Sequence, residues 1–322
     1  MLLDSTSPAL LNAAPALAAD LDLAGAFALA EKSPATIRAY KSDAAAFDTW
    51  CKAREIQKPL PSSPDLIAAF LAADATTGSK ASTIARRAAA IRYAHRAAGM
   101  DDPTQHETVR RVLRGIRRTI GAKPEQKAPA TADVLTAMLS HAPRTLTGLR
   151  DRALLALGFA GAFRRSELAA LNVSDLTFVT DGLRVAIRRS KTDQEAQGQE
   201  IAIPHGRSLK PVEALRAWLD AAQITNGPVF RPVSRSGKVR GDVRLTADSI
   251  ARVVKGYANA AGYDATEFSG HSLRAGFVTT AADYDVSESR IMDVTRHKDS
   301  RTVRAYIRRA NLFKDSAGRH FL

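Results

Sequence analysis

The segment Ala122-Lys123-Pro124-Glu125-Gln126-Lys127-Ala128-Pro129-Ala130 is polar and holds two prolines. Proline has no N–H to donate and restricts the residue before it, so neither a helix nor a central strand runs through such a stretch. Residues 122–131 therefore read as a linker that divides the chain in two. A chain of 322 residues is long enough for two domains, and its apolar fraction of 45% supplies a core to each.

Residues 1–20, rich in Ala, Leu, Ser and Pro, read as a flexible lead-in. Beyond them the pattern is helical. Ser33-Pro34 is an N-cap followed by proline at the first helical position. Ile37, Tyr40, Ala44, Phe47 and Trp50 then recur every three or four residues and mark one helix face. Ser63-Pro64 starts a second helix, and two more are expected over about 82–98 and 108–120. Residues 21–121 thus form an all-helical domain.

Basic residues gather on its last two helices. One carries Arg86, Arg87, Arg92, His95 and Arg96; the other carries Arg110, Arg111, Arg114, Arg117 and Arg118. Few acids interleave, and the formal net charge of the chain is +14. Each phosphate neutralised by such a face releases condensed counterions, so the balance favours a nucleic-acid partner over a merely solvated face. The candidate DNA contacts are Arg86, Arg87, Arg92, Arg110, Arg114, Arg117 and Arg118.

Residues 132–322 form a second domain, mainly helical with one small antiparallel sheet. Helices are expected at about 132–141, 148–158, 165–170, 209–223, 246–262, 271–283 and 287–296, and again after Ser300. Leu183, Val185 and Ile187 alternate as a strand, with Ile201 and Ile203 in its hairpin partner.

Several function classes are disfavoured. The single cysteine, Cys51, rules out a disulfide framework and suits a reducing cytoplasm. The N-terminus has acidic Asp4, Asp20 and Asp22 instead of a basic leader, and no apolar run reaches membrane-spanning length, so no membrane partner is expected. The seven histidines show no HExxH pattern or other metal-ligand spacing, and no phosphate-binding Walker loop or GxSxG elbow is present. An ordered set of basic groups and one tyrosine remains as the candidate chemistry.

Gly161-Ala162-Phe163-Arg164-Arg165-Ser166-Glu167-Leu168 resembles the first arginine box of the tyrosine recombinases, the phage integrase family. Ser269-Gly270-His271-Ser272-Leu273-Arg274 resembles their HxxR box. His297-Lys298 followed by Tyr306 resembles their final histidine and nucleophile, and Arg189-Ser190-Lys191-Thr192 resembles the segment that carries their catalytic lysine. Each string alone is weak; five in order within one domain are specific. The likeness spans roughly residues 33–322 and is nearest to Cre-like members of phages, plasmids and transposons. Arg165 stands where the family commonly has an apolar residue, and Arg296 where it usually has glycine.

The resemblance implies a mainly α, two-domain, C-shaped DNA clamp with a helical core-binding domain and a mixed α/β catalytic domain. It implies Tyr306 as nucleophile, Arg164 and Arg274 as a phosphate clamp, and Lys191 as the acid for the leaving 5′ oxygen. His271 would take or share the tyrosine proton, His297 would donate to a non-bridging oxygen, and Glu167 would orient Lys191 or His271. The chemistry suits these types: a phenolate attacks phosphorus well and also leaves well, and guanidinium forks hold phosphate oxygens without a metal. Because a phosphotyrosine keeps the ester energy, no nucleotide cofactor is expected. Also implied are double-stranded DNA with a specific site as partner, a homotetramer exchanging strands through a Holliday junction, and a C-terminal helix at about 311–322 packing on a neighbouring protomer. Transposon-borne relatives sometimes add an accessory protein. A cytoplasmic, nucleoid-associated bacterial protein fits this picture. Two rivals are a type IB topoisomerase-like nicking and resealing enzyme and a non-catalytic architectural DNA-binding protein.

Overall fold

The computed structural model describes residues 15–57, 59–121, 126–188, 198–297 and 299–310. The chain divides into two compact units, one ending at Glu125 and the other starting at Gln126.

The first unit contains helices α1 (Pro15–Ala30), α2 (Pro34–Lys52), α3 (Pro64–Thr76), α4 (Ala81–Ala97) and α5 (Glu107–Ile120). Ser33 and Ser63 act as the N-caps that the sequence indicates: each hydroxyl accepts a backbone N–H one turn on, from Thr36 and Leu66, with proline next in the chain. The core gathers Phe47, Cys51, Ile67, Phe70, Leu71, Ile84, Ile91, Val109 and Ile116. Helix α1 takes in residues 15–20, the end of the stretch read as a lead-in. One expectation is corrected. On α2 the buried position beside Phe47 is Asp43, whereas Ala44 is exposed.

Asp43 engages two of the candidate DNA-contact arginines. Its buried carboxylate accepts Arg86 Nε at 2.7 Å and Nη2 at 3.0 Å. Arg87 pairs with the buried Asp74 and has its Nε 3.8 Å from Asp43. A buried carboxylate without a cation is costly, so these two arginines hold α4 to α2 and α3. His95 is also buried: its Nε2 accepts the Ser62 N–H at 2.9 Å, which makes it a packing residue and not part of a basic surface.

The second unit contains α6 (Ala132–Ser140), α7 (Leu146–Ala160), α8 (Arg165–Ala170), β1 (Leu176–Val179), β2 (Gly182–Ile187), β3 (Gln199–Pro204), α9 (Pro211–Ala221), α10 (Ala247–Ala260), α11 (Ser272–Asp283), α12 (Glu288–Thr295) and α13 (Ser300–Ala310). The strands form one antiparallel sheet in the order β1-β2-β3. Leu183 pairs with Ile203 and Val185 with Ile201, so the alternating apolar residues of both strands share the core face. β1 is an addition to the sequence reading. Helix α7 is buried along most of its length, with Leu154, Leu155 and Leu157 fully covered.

Helix α11 is fixed by close approach. Backbone N–H of Ala130 donates to the Ser272 carbonyl at 2.9 Å, and that of Ala132 to the Thr280 hydroxyl at 3.0 Å. A Cβ at Gly276 would lie 1.8 Å from the Ala130 carbonyl oxygen, so only glycine lets the incoming chain lie on the helix. Among the described residues no helix is long and apolar enough to cross a membrane, and no group of three His, Cys, Asp or Glu side chains is placed to hold a metal ion.

Candidate active site

The site starts at the tight connection between α7 and α8. Ala162 has a positive φ of 44°, and its carbonyl accepts from the Arg274 guanidinium. Arg164 follows at the N-cap of α8 with extended backbone angles. Glu167, three residues on, has its carboxylate turned back to this N-cap. One oxygen accepts the Arg164 backbone N–H at 3.0 Å and the other accepts Arg164 Nη1 at 2.5 Å. The same carboxylate accepts Arg296 Nη2 at 2.8 Å. With the side chain only 2% exposed, burial works to raise the Glu167 pKa, but Arg296 and Arg164 outweigh it and hold it below the usual glutamate value. Among the described residues Glu167 thus binds Arg164 and Arg296; Lys191, which with His271 was its expected partner, lies outside them.

Arg274 lies in the first turn of α11 and is 1% exposed. Its Nη1 donates to the Ala162 carbonyl at 2.9 Å, while Nε and Nη2 find no acceptor among the described residues. Burial, followed by the Arg164 and Arg296 guanidinia, pulls its pKa down to about 9 against the opposing pull of Glu167 and Tyr306, so it is still cationic at neutral pH. Buried donors of this kind are normally satisfied.

Both histidines feel the same field. His271 stands at the N-cap of α11, open to solvent on one side. The protein packed around its imidazole, then Arg274 and Arg164, hold its pKa below the usual histidine value. His297 follows the C-terminus of α12, with Nδ1 2.8 Å from the hydroxyl of buried Thr295. Burial first, then Arg274, Arg164, His271 and Arg296, push its pKa down to about 4. Both rings are thus neutral near pH 7. Tyr306, half-buried on α13, packs on the apolar cluster of Val278, Ala281, Ile291 and Val303, which ties α13 to α11 and α12.

The structure thus brings Arg164, Glu167, His271, Arg274, His297 and Tyr306 to one place in the second unit. Lys191 lies outside the described residues, as does the segment 311–322. In the first unit, α5 turns Val109, Val112, Leu113 and Ile116 inward and leaves Arg110, Arg111, Arg114, Arg117 and Arg118 exposed. Arg110 bonds to Gln105, and Arg114 to Glu107 at 2.5 Å; Arg92 on α4 is half-buried. Sequence reasoning missed one site residue, Arg296. The signal was a departure already visible in the chain: an arginine in the place of the family's glycine.

The family model described as phage integrase family matches residues 130–312, and that of the phage integrase N-terminal SAM-like domain matches residues 27–99. The chain is 41% identical over 295 residues to an integrase/recombinase XerD homolog of Selenomonas ruminantium, covering 89% of this chain and 86% of the relative. It is 25% identical to the recombinase Cre of Escherichia phage P1, covering 80% and 79%. The expected likeness to Cre is present, and that to the XerD homolog is stronger. Among solved structures, the fold matches the Tn1549 transposon integrase in complex with transposon right end DNA, with a TM-score of 0.62 at 14% identity, covering 89% of this chain and 95% of that one. It also matches the XerH site-specific recombinase in its post-cleavage complex with palindromic difH substrate, with a TM-score of 0.59 at 18% identity, covering 84% and 75%. The family-model match to most of the second unit and the 41% identity across most of the chain make one conclusion: the protein is a member of the phage integrase family, a tyrosine site-specific recombinase.

Proposed function

We propose that this enzyme cleaves and rejoins DNA at a specific site with Tyr306 as its nucleophile. The observation that carries the reading is Arg274, a buried guanidinium with two donor nitrogens that find no partner among the described residues, beside Arg164, both histidines and the phenol. Such a site suits an oxyanion and is poorly explained by packing.

In the forward step the Tyr306 oxygen attacks the scissile phosphorus. Its proton passes to neutral His271, and the P–O5′ bond breaks as Lys191 protonates the leaving oxygen. The products are a 3′-phosphotyrosine and a free 5′ hydroxyl, and resealing is the reverse. Arg164 and Arg274 hold the non-bridging oxygens as negative charge builds there, and His297 donates to one of them. The exposed arginines of α5, with Arg92, would track phosphates on the flanking duplex. The two units would clamp the DNA, and four protomers would exchange strands through a Holliday junction. The C-terminal segment 311–322, with Leu312, Phe313, Phe321 and Leu322, would join neighbouring protomers. Solved relatives bound to transposon end DNA and to difH support a DNA partner. Resolution or integration of mobile DNA in the cytoplasm is the task we favour.

A plasmid carrying two copies of the site tests the outcome. Recombinant circles are expected with the wild type and none with Tyr306→Phe. Relaxation of a plasmid lacking the site, without recombinants from the paired-site plasmid, would favour the topoisomerase-like rival. Recombination by Tyr306→Phe would overturn the assignment of the nucleophile.

A further inference from the structure

Arg296 is unusual in two respects. Its backbone, at φ 58° and ψ 41°, is in the left-handed region that glycine adopts freely and arginine rarely. Its side chain is nonetheless drawn inward, and the residue is 7% exposed. Nη1 donates to the carbonyls of Val294 at 2.7 Å and Gly161 at 3.2 Å. Nη2 donates to Glu167 at 2.8 Å and to the Ala162 carbonyl at 3.4 Å, and the guanidinium lies over the Phe163 ring, 5.5 Å from its centroid. Every side-chain hydrogen bond except that to Val294 is with the loop between α7 and α8 or with the first turn of α8.

Among the described residues, the charges that act on one another around this loop are three guanidinia, Arg164, Arg274 and Arg296, and one carboxylate, Glu167, while Arg165 pairs with Asp248. Without Arg296 the carboxylate would spend its charge on Arg164, and the clamp would face the phosphate with one net positive charge. With Arg296 bound to Glu167, the clamp keeps two. A phosphodiester carries one negative charge, and the pentacoordinate state formed by phenolate attack carries two, so the extra positive charge acts on the transition state more than on bound DNA.

We infer that Arg296 is a positioning residue for strand cleavage: it neutralises Glu167 and fixes the 161–163 loop, so that Arg164 and Arg274 meet the scissile phosphate at full charge. This rests on the site proposed above. A structural role in the loop alone would not depend on the charge of Glu167, and that difference makes the inference testable.

Single-turnover adduct formation on a nicked suicide substrate is measured for the wild type, Arg296→Met and the double variant Arg296→Met/Glu167→Gln, alongside DNA affinity. The expected result is at least a tenfold slower rate for Arg296→Met, with affinity within threefold of wild type. The double variant should be at least fivefold faster than Arg296→Met, because the uncompensated negative charge is gone while the amide oxygen still accepts the Arg164 N–H. A loss smaller than tenfold, or a double variant no faster than Arg296→Met, overturns the inference. Arg296→Gln, which keeps an amide donor for the carbonyls that Arg296 binds, repeats the pair under the same criteria if the methionine variant does not fold. Failure of the wild type itself to form an adduct would instead sink the underlying site.

Discussion

A guanidinium is never simply interchangeable with another cation when its donors are aimed, and Arg274 is the test of that at this site. Its Nη1 is anchored on Ala162 while Nε and Nη2 are left for an acceptor. Arg274→Lys keeps the charge but loses the fork. Removing one such donor from a transition state typically costs about 10²–10³ in rate, so single-turnover cleavage is expected to fall by about a hundredfold or more while DNA affinity changes little. Equal loss of affinity and rate would reduce Arg274 to a binding residue. His297 gives a pH prediction. Its folded pKa of about 4 lies below the ordinary 6.5, so between these values the unfolded chain binds more protons than the native one. Its contribution to stability is complete above about pH 6.5 and is lost as the pH falls towards 4. Melting temperature is expected to drop through that window, and to drop less in His297→Gln. The depressed His271 acts in the same direction. These residues were legible because their order along the chain is distinctive. The partners of Glu167 were not, because a carboxylate three residues from an arginine says nothing of a second arginine that folding brings from 129 positions away.

The helices were the most legible elements. Ser-Pro starts and three-four spacing located α2 and α3 within a residue or two, since caps and one-sided burial are local properties. Two elements were not foreseen, for different reasons. Helix α1 carries Leu17, Leu23 and Phe27 exposed, so its apolar residues follow no buried face. Strand β1 has four residues and is joined to β2 by a tight turn; its pairing with β2 is a tertiary fact that a run of that length does not announce. Asp43 shows the same limit, because a buried carboxylate reads as a surface residue until Arg86 arrives from α4. Gly276 makes the element-scale prediction. Gly276→Ala would force its methyl against the Ala130 carbonyl and push α11, with Arg274, away from the chain entering the second unit. Overpacking of this kind costs about 1–3 kcal/mol, seen as a lower melting temperature together with slower cleavage. An unchanged melting temperature would show that the entering segment is free to shift.

At the scale of the whole molecule, the charge of +14 is unevenly employed. Arg86 and Arg87 are engaged by buried aspartates, whereas Arg117 and Arg118 project from α5. The two groups are therefore expected to respond differently. Arg117→Ala/Arg118→Ala should flatten the dependence of log K on log salt by about 2 with no change in stability, since each phosphate contact contributes about 0.9 to that slope. Arg87→Ala should lower the stability of the first unit and leave the slope unchanged. An unaltered slope in the first variant would remove that face from the DNA interface. The proposed reaction turns on one bond, that between Tyr306 and the DNA. Tryptic digestion of the trapped adduct isolates it, because Ala305–Arg308 is a short peptide with one tyrosine. Mass spectrometry is predicted to find the nucleotide on that peptide, joined through a 3′ phosphate, with a free 5′ hydroxyl on the released strand. A nucleotide on any other peptide, or a linkage through the 5′ phosphate, would contradict it.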